Sequence, residues 1–253
     1  MHMPRLIMFD LDGTLASSKE AMDAEMAALI LELIKVTNIA IISGGGYPQL
    51  ETQFLSTLGT PTPSFGKLFL LPTSGAAMYR YADNDWREIY SETLTTEEKQ
   101  GIIDALQAAL TESAYEAPEH IYGETIEDRG SQISFSANGQ EAPLAVKSAW
   151  DPSHEKRERI ASFLKTRLPE FSIRIGGTNT IDITKPGVDK AYGIRRIENE
   201  LDIPQRDMLF IGDAIFPGGN DYVVTTSDVP WKKVSGPEET KRIIRELLSS
   251  ALA

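Results

Sequence analysis

The sequence predicts an α/β protein in which a doubly wound parallel sheet forms the core and a smaller α+β domain is inserted into it. Short apolar runs alternate with helical segments at both ends of the chain, which is typical of parallel strands covered by helices. Between residues 92 and 185 the pattern changes to alternating strands and separate helices. We therefore assign residues 1–91 and 186–253 to the core and residues 92–185 to the inserted domain.

The core elements follow from apolar runs and helical periods. Short β-rich runs bounded by turn residues predict strands at residues 6–9, 39–42, 68–71, 76–81, 86–90, 208–211 and 222–224. Apolar residues at helical spacing predict helices at residues 21–34, 47–58, 190–201 and 237–248. Pro48 is compatible with a helix because proline is tolerated in a first helical turn. The alternation of the two element types predicts a parallel sheet.

The inserted domain combines two predicted helices with three predicted strands. The helices cover residues 95–110 and 152–168, and the strands cover residues 133–136, 171–175 and 180–184. Thr95 and Glu98 fit a capping box at the beginning of the first helix. The alternation in Ile133-Ser134-Phe135-Ser136 is typical of a half-buried antiparallel strand. These elements predict an α+β arrangement.

Composition excludes several classes of function. The chain has 253 residues, of which 41% are hydrophobic, and no apolar run approaches the length of a membrane-spanning helix. It contains no cysteine, which excludes a disulfide scaffold, a thiolate nucleophile and a Cys-bound metal. The formal net charge of −12 argues against a nucleic-acid partner, because binding to a phosphate backbone needs a basic surface.

The sequence predicts neither a histidine-based site nor a signal peptide. The three histidines, His2, His120 and His154, have no partner at metal-ligand or triad spacing, so we expect no histidine-based site. No basic segment followed by an apolar one marks a signal peptide. A chain without cysteine fits a reducing compartment, and we therefore expect a cytoplasmic protein with neither a membrane nor a nucleic acid as its partner.

The strongest chemical signal is Asp10-Leu11-Asp12-Gly13-Thr14, which directly follows the predicted strand Leu6–Phe9. Ligands of open α/β sheets bind beyond the carboxyl ends of such strands. Residues two apart in an extended segment point the same way, so Asp10 and Asp12 can face one site. Two close carboxylates repel each other, and a Mg²⁺ ion bound by hard oxygen ligands relieves that repulsion. One acid can then act as the nucleophile and the other can transfer protons.

A second predicted strand ends in Ser43-Gly44-Gly45-Gly46. Glycines allow backbone N–H groups to approach an anion closely. The Ser43 hydroxyl and the amides of Gly44 and Gly45 are therefore candidates for binding phosphate oxygens. Taken alone, the segment is also compatible with a plain turn.

Two charged residues complete the candidate constellation. Lys190 stands at the beginning of a predicted helix, and Asp213 follows the strand at residues 208–211. Lys190 can neutralise the charge that develops during phosphoryl transfer. Asp213 can complete a Mg²⁺ shell together with Asp10 and the Asp12 carbonyl. Each has a plainer interpretation, a solvated lysine or a strand-to-turn junction, but their order along the chain favours one site.

With these residues the chain resembles the haloacid dehalogenase (HAD) superfamily. Asp10–Thr14, Ser43, Lys190 and Gly212-Asp213 match the four motifs of that superfamily in order, and the inserted segment resembles its class IIB cap. The resemblance implies an HAD Rossmann-like core and an aspartyl-phosphate mechanism. Asp10 is then the nucleophile, Asp12 the acid/base and Mg²⁺ the cofactor.

Within that superfamily the chain is most similar to the eukaryotic-type phosphomannomutases. The segment from Ile211 to Asp221 looks like their extended fourth motif, with Asn220 in the Asn-Asp pair, and the similarity runs from about Leu6 to Leu248. The resemblance implies a small phosphorylated sugar as substrate and suggests a homodimer. It also implies substrate-binding positions, which are Lys19, Arg129, Gln140, Lys147, Thr180, Asp182 and Asn220.

Three of these positions depart from the phosphomannomutase pattern. Lys19, Gln140 and Lys147 stand where that family has arginines. Arginine offers a bidentate fork to phosphate, whereas lysine is a point charge and glutamine is uncharged. The departures weaken the site for a second phosphate, so the sequence favours a sugar phosphatase. A phosphomannomutase is the alternative, and a non-catalytic binder of phosphorylated ligands is a third interpretation.

Overall fold

The computed structural model describes residues 3–251, so His2 lies outside the described residues. The chain divides into two compact units. The core unit contains the described residues up to Ser91 together with those from Asp189 onward, and the inserted unit is Glu92–Val188. The second boundary lies three residues after the expected boundary at residues 185 and 186.

Strands and helices follow one another along the described part of the chain. The strands are β1 (Leu6–Phe9), β2 (Asn38–Ile42), β3 (Leu68–Leu71), β4 (Ala77–Ala82), β5 (Asp85–Ser91), β6 (Ile126–Asp128), β7 (Gln132–Ser136), β8 (Ser172–Gly176), β9 (Thr180–Thr184), β10 (Met208–Gly212) and β11 (Trp231–Lys233). The α-helices are α1 (Ala24–Val36), α2 (Tyr47–Gln53), α3 (Thr96–Glu112), α4 (Leu144–Trp150), α5 (Glu155–Arg167), α6 (Lys190–Leu201) and α7 (Pro237–Ala251).

The core unit is built on a sheet with the strand order β11-β10-β1-β2-β3-β4-β5. The first five of these strands are parallel, and β4 and β5 extend the sheet as an antiparallel hairpin. Phe9 pairs with Ile41 on one side and with Ile211 on the other. This register brings the carboxyl ends of β1, β2 and β10 to one level of the sheet edge.

Both faces of the central strands are buried, which explains why they read as continuous apolar runs. Ile7 and Phe9 belong to one hydrophobic cluster, and Leu6 and Met8 belong to the cluster on the other face. Burial of each such side chain contributes about 1.5–3 kcal/mol. The α/β core expected from the sequence is confirmed.

The inserted unit contains an antiparallel sheet with the strand order β6-β7-β9-β8. Its apolar side chains, among them Phe135 and Ile181, form one cluster with residues of α3 and α5. The capping box at Thr95 and Glu98 is present. All five residues of β7 are buried, so the expectation of a half-buried strand is wrong. Burial of its serines is tolerated because their hydroxyls form hydrogen bonds, as the Ser134 hydroxyl does with Asp182.

A fully buried ion pair ties together three parts of the inserted unit. The Arg157 guanidinium of α5 donates to Asp151 at 2.9 Å and to the carbonyl oxygens of Gly176 and Gly177 at 3.0 Å. Both charged side chains are almost inaccessible to solvent. Because the carbonyls belong to the β8–β9 turn, this arginine fixes the turn to the beginning of α5.

Some element predictions are wrong. The expected helix at residues 47–58 ends at Gln53 and is followed by a short 3₁₀ turn, and the expected strand at 222–224 is the 3₁₀ helix Tyr222–Thr226. The second segment is rich in β-forming residues, but it directly follows Asp221, whose buried side chain accepts a hydrogen bond from Lys190. The edge strand is β11, which the sequence did not predict. The elements β6 and α4 were also missed.

No helix in the part of the chain that the structure describes is long and apolar enough to cross a membrane.

Candidate active site

Lys190 lies between two buried carboxylates of the core unit. Its Nζ atom donates to Asp10 Oδ1 and to Asp221 Oδ1, each at 2.5 Å. All three side chains are almost completely buried. β1 positions Asp10, whose backbone N–H donates to Ile211 O of β10, and α6 begins at Lys190. The end of β1 and the beginning of α6 therefore bring the Asp10 carboxylate and the Lys190 ammonium together.

Asp213 joins this cluster from the end of β10. One carboxylate oxygen from each of Asp10, Asp213 and Asp221 lies within 4.8 Å of the others. Thr14 holds Asp213, because its Oγ1 accepts from the Asp213 N–H at 3.0 Å. Gly13 has φ +81°, and a Cβ at that position would lie 2.5 Å from Asp213 Oδ2. Glycine at position 13 thus leaves room for the carboxylate.

This donor set fits a divalent cation. Three carboxylates face one ammonium, so the cluster has an excess of two negative charges when all three carboxylates are ionised. Hard carboxylate oxygens are the ligands that Mg²⁺ prefers. Asp10 and Asp213, both expected as ligands, lie in the cluster with Asp221, while the expected contribution of the Asp12 carbonyl stays a prediction.

The pKa shifts of the cluster also favour binding of a cation. Burial, together with the neighbouring Asp221 and Asp213 carboxylates, raises the pKa of Asp10 to about 8 against the opposing effect of Lys190. Burial and Asp221 also raise the pKa of Asp213. Burial disfavours the charged form of Lys190, but the two carboxylates outweigh it and raise the pKa of the ammonium above its usual value. Without a cation, the cluster therefore retains a proton on a carboxylate near neutral pH.

Binding of Mg²⁺ is accordingly expected to release a proton. Because protonation of Asp10 competes with the cation, the apparent dissociation constant should fall by up to about tenfold for each unit that the pH rises toward 8, and should level off above it. Isothermal titration calorimetry from pH 6 to pH 9, in two buffers of different ionisation enthalpy, measures both the affinity and the number of protons released. An affinity that does not change with pH would contradict this expectation.

Asp12 is held at both of its carboxylate oxygens. The backbone N–H of Lys19 donates to Oδ1 at 2.6 Å, and Gln49 Nε2 donates to Oδ2 at 2.9 Å. Lys19 has φ +65°, an uncommon conformation for a residue other than glycine. Lys19 is exposed, and it contacts Asp12 through its backbone N–H. The expected side-chain contact of Lys19 with substrate stays a prediction.

The Ser43-Gly44-Gly45 loop follows β2 and is hydrogen-bonded to the turn after β3. Ser74 N–H donates to Ser43 O at 2.7 Å, and Thr73 N–H donates to Gly45 O at 2.8 Å. Thr73 and Ser74 have φ +48° and +59°, which is strained for a β-branched residue such as threonine. The Ser43 hydroxyl, which is buried, accepts from the Gly45 N–H at 3.1 Å. The loop is therefore fixed in place by its neighbours.

In the inserted unit, Arg129 is engaged by a carboxylate. Its Nε and Nη2 atoms donate to Glu127 Oε2 at 2.9 and 2.6 Å, and Nη2 reaches Gln140 Oε1 at 3.4 Å. Its side chain is only 7% exposed. Lys147 Nζ donates to the Gln140 backbone oxygen at 2.7 Å. The structure thus brings Arg129, Gln140 and Lys147 together, with the charge of Arg129 paired.

Three other expected positions are placed as follows. Asp182 accepts from Ser134 at 2.6 Å, and the Thr180 hydroxyl donates to Gly176 O at 2.5 Å, both on the polar face of the inserted sheet. Asn220 is exposed in the core unit. The substrate roles of these three residues stay predictions.

Two residues of the site were not predicted. Asp221 was visible beside Asn220 in the fourth motif, but sequence alone does not tell which of two neighbouring side chains points inward. Gln49 stands on the first turn of α2, shortly after the glycine loop, and an amide at such a position carries no distinctive chemical signal.

Similarity to known proteins extends over most of the chain. The family profile described as haloacid dehalogenase-like hydrolase matches residues 7–222. The chain is 25% identical over 251 residues to phosphomannomutase 1 of Mus musculus, covering 96% of this chain and 91% of that one. It is 24% identical over 251 residues to the phosphomannomutase of Saccharomyces cerevisiae, covering 96% and 94%.

Solved structures show the same fold at low sequence identity. An IMP-bound IMP-nucleotidase of Plasmodium falciparum has a TM-score of 0.69 at 16% identity, covering 97% of this chain and 68% of that one. A trehalose-6-phosphate phosphatase related protein has a TM-score of 0.58 at 17% identity, covering 98% of both chains. At these identities the likeness shows the fold alone.

Proposed function

Because the chain belongs to the haloacid dehalogenase-like hydrolases, we propose that it is a Mg²⁺-dependent phosphatase that transfers the phosphoryl group of a small sugar phosphate to water through Asp10. The family and the relatives make it an enzyme of phosphatase or mutase type. The observation that carries the finer proposal is the buried cluster of Asp10, Lys190, Asp213 and Asp221.

Each step of the proposed reaction has a residue in the core unit. An Asp10 carboxylate oxygen attacks phosphorus, the bond from phosphorus to the sugar oxygen breaks, and Asp12 gives a proton to that oxygen. Water then attacks the phosphorus of the aspartyl-phosphate, its proton passes to Asp12, the bond from phosphorus to the Asp10 oxygen breaks, and inorganic phosphate leaves. Lys190, Ser43 and the amides of the glycine loop offset the charge of the phosphoryl oxygens. A Mg²⁺ ion held by Asp10 and Asp213 would supply further positive charge at the phosphoryl group.

The inserted unit favours hydrolysis over mutase activity. A mutase must hold the second phosphate of a hexose bisphosphate, and charge-assisted hydrogen bonds of about 1.5–3 kcal/mol each supply that affinity. The charge of Arg129 is already paired with Glu127, and Gln140 carries no charge. When the distal phosphate is held weakly, the sugar monophosphate leaves before it can accept the phosphoryl group from Asp10, and water accepts that group instead.

A phosphomannomutase is the second candidate. Full-length similarity of 24–25% to several phosphomannomutases favours it. Thr180 and Asp182, the pair expected to contact the sugar, lie on one face of the inserted sheet. The two candidates share the Asp10 chemistry and differ only in which acceptor takes the phosphoryl group.

The variant Gln140→Arg is expected to raise mutase flux relative to hydrolysis. An added guanidinium beside Arg129 restores a charge-assisted contact, which is worth about tenfold or more in affinity for a second phosphate. The ratio of isomerised ester to free phosphate measures the effect. Gln100→Arg, at an exposed position of α3 in the same unit, is the matched control. An unchanged ratio would show that the missing arginine does not decide the reaction.

The proposed function is tested by ³¹P NMR of mannose 1-phosphate with enzyme, Mg²⁺ and a trace of hexose 1,6-bisphosphate. Free phosphate without the isomer is the expected result. Accumulation of the 6-phosphate with little free phosphate would establish the mutase instead. If neither product forms, a panel of phosphate esters identifies the substrate class or overturns the proposal.

A cytoplasmic location and a homodimer are also proposed. The absence of cysteine supports the first, and the similarity to phosphomannomutases supports the second. Fractionation of the source cells and light scattering of the purified chain test them.

A further inference from the structure

The amide of Gln49 joins the glycine loop to Asp12. Nε2 donates one hydrogen bond to Asp12 Oδ2 at 2.9 Å and one to Gln53 Oε1 at 2.7 Å. Both amide protons are therefore used. Neither the motifs nor the relatives assign a role to this residue.

The orientation of the amide is fixed by Asp12. Because an ionised carboxylate can only accept hydrogen bonds, Gln49 must present Nε2 rather than Oε1 to Asp12, and the same Nε2 donates to Gln53 Oε1. Gln53 is itself buried, and its backbone oxygen accepts from the Met22 N–H at 3.0 Å. The chain of contacts thus leads from a packed part of the core to Asp12.

The same amide packs directly on the glycine loop. A Cβ at Gly45 would lie 2.0 Å from Gln49 Oε1, so any side chain at position 45 would displace the amide. Glycine at position 45 therefore leaves room for the Gln49 amide. The loop and the acid/base carboxylate are mechanically linked through one side chain.

We infer that Gln49 is a positioning residue that holds Asp12 in line with the leaving oxygen of the phosphate ester. The inference rests on the proposed function, since it assigns Asp12 the transfer of a proton to that oxygen. With Oδ1 held by Lys19 N–H and Oδ2 held by Gln49, the carboxylate cannot rotate. Loss of the Gln49 contact leaves it with one backbone donor and free to turn.

The test compares two esters that differ in their need for a proton. Departure of a sugar alkoxide needs a general acid, whereas p-nitrophenolate is a stable anion that leaves without one. The parameter kcat/KM covers the steps through departure of the leaving group. For Gln49→Leu we expect kcat/KM to fall on the order of 10²-fold on the sugar phosphate, because misplacement of an acid loses much of its effect. On p-nitrophenyl phosphate we expect a loss of less than about threefold.

Two further variants sharpen the comparison. Gln49→Glu keeps the size of the side chain and replaces the donor with an acceptor, so its loss on the sugar phosphate should be at least as large. Glu51→Gln, exposed on the same helix, should leave both esters unaffected. Thermal unfolding of each variant reports whether α2 is intact.

The outcomes separate the inference from the proposed function. Equal losses on the two esters at unchanged thermal stability would overturn the inference, because a merely structural role does not depend on the leaving group. A rise in KM for the sugar phosphate with unchanged kcat would also overturn it. Absence of wild-type turnover on both esters would overturn the proposed function and this inference with it.

Discussion

Asp10→Asn is expected to abolish turnover, with a loss on the order of 10⁴-fold or more, the scale at which removal of a covalent nucleophile is measured in other enzymes. The amide cannot attack phosphorus and cannot form an aspartyl-phosphate. The variant should nevertheless fold, because Lys190 keeps its partner Asp221 and one buried negative charge is removed from a cluster that has an excess of them. Phosphate release from the preferred sugar phosphate measures the loss.

Asp228→Asn is the matched control, because Asp228 is an exposed aspartate of the same unit. It should keep full activity. The non-catalytic interpretation makes the opposite prediction, namely that Asp10→Asn leaves the biological activity of the chain intact. Residual turnover of Asp10→Asn above a few per cent of wild type would rule out Asp10 as the nucleophile.

Lys190→Met is expected to lower both activity and stability. Methionine fills the space but leaves Asp10 and Asp221 without their buried cation, and breaking a buried pair in this way costs about 3–5 kcal/mol. Loss of the charge that offsets the phosphoryl oxygens should lower kcat by about 10²–10³-fold. Urea denaturation and steady-state kinetics measure the two effects.

The loss of stability in Lys190→Met should depend on pH with a defined sign. The pKa of Asp10 is already raised to about 8 in the folded chain, and removal of the ammonium raises it further. A carboxyl whose folded pKa is raised stabilises the fold at low pH and loses that contribution as pH rises through the folded pKa. The variant should therefore be more destabilised at pH 9 than at pH 6.

Lys35→Met, at an exposed position of α1, is the control and should change neither quantity. A destabilisation of Lys190→Met that is independent of pH would contradict the expectation that loss of the Lys190 ammonium raises the pKa of Asp10.

The core could be predicted from the sequence because its signals are local. Parallel strands buried on both faces appear as apolar runs, and the residue after each run lies at one edge of the sheet. Asp10, Ser43 and Asp213 are placed by this rule alone. The same rule does not place Asp221, because this residue lies in an irregular loop. The direction of its side chain depends on the hydrogen bonds that it accepts from Lys190 and from the Ala214 N–H. The run at residues 222–224, which follows Asp221, is rich in β-forming residues and was therefore predicted as a strand, whereas it belongs to a 3₁₀ helix.

The inserted unit was less predictable because the sequence does not show which of its charged side chains pair with one another. Arg129 was expected as a phosphate ligand, whereas its guanidinium is paired with Glu127, two residues earlier. Gln140 reaches the same arginine from beyond β7. The substrate roles of these positions stay predictions, and under the proposed function the pairing of Arg129 with Glu127 weakens the hold on a second phosphate.

The central claim, covalent catalysis through Asp10, is tested most directly by acid-quenching the enzyme during turnover with its sugar phosphate and Mg²⁺ and then measuring the mass of the intact protein and its peptides. We predict a mass increase of one phosphoryl group on the peptide that contains Asp10, absent from Asp10→Asn. Rapid turnover of the wild type with no phosphorylated protein at any quench time, or a phosphoryl group on another residue, would contradict it.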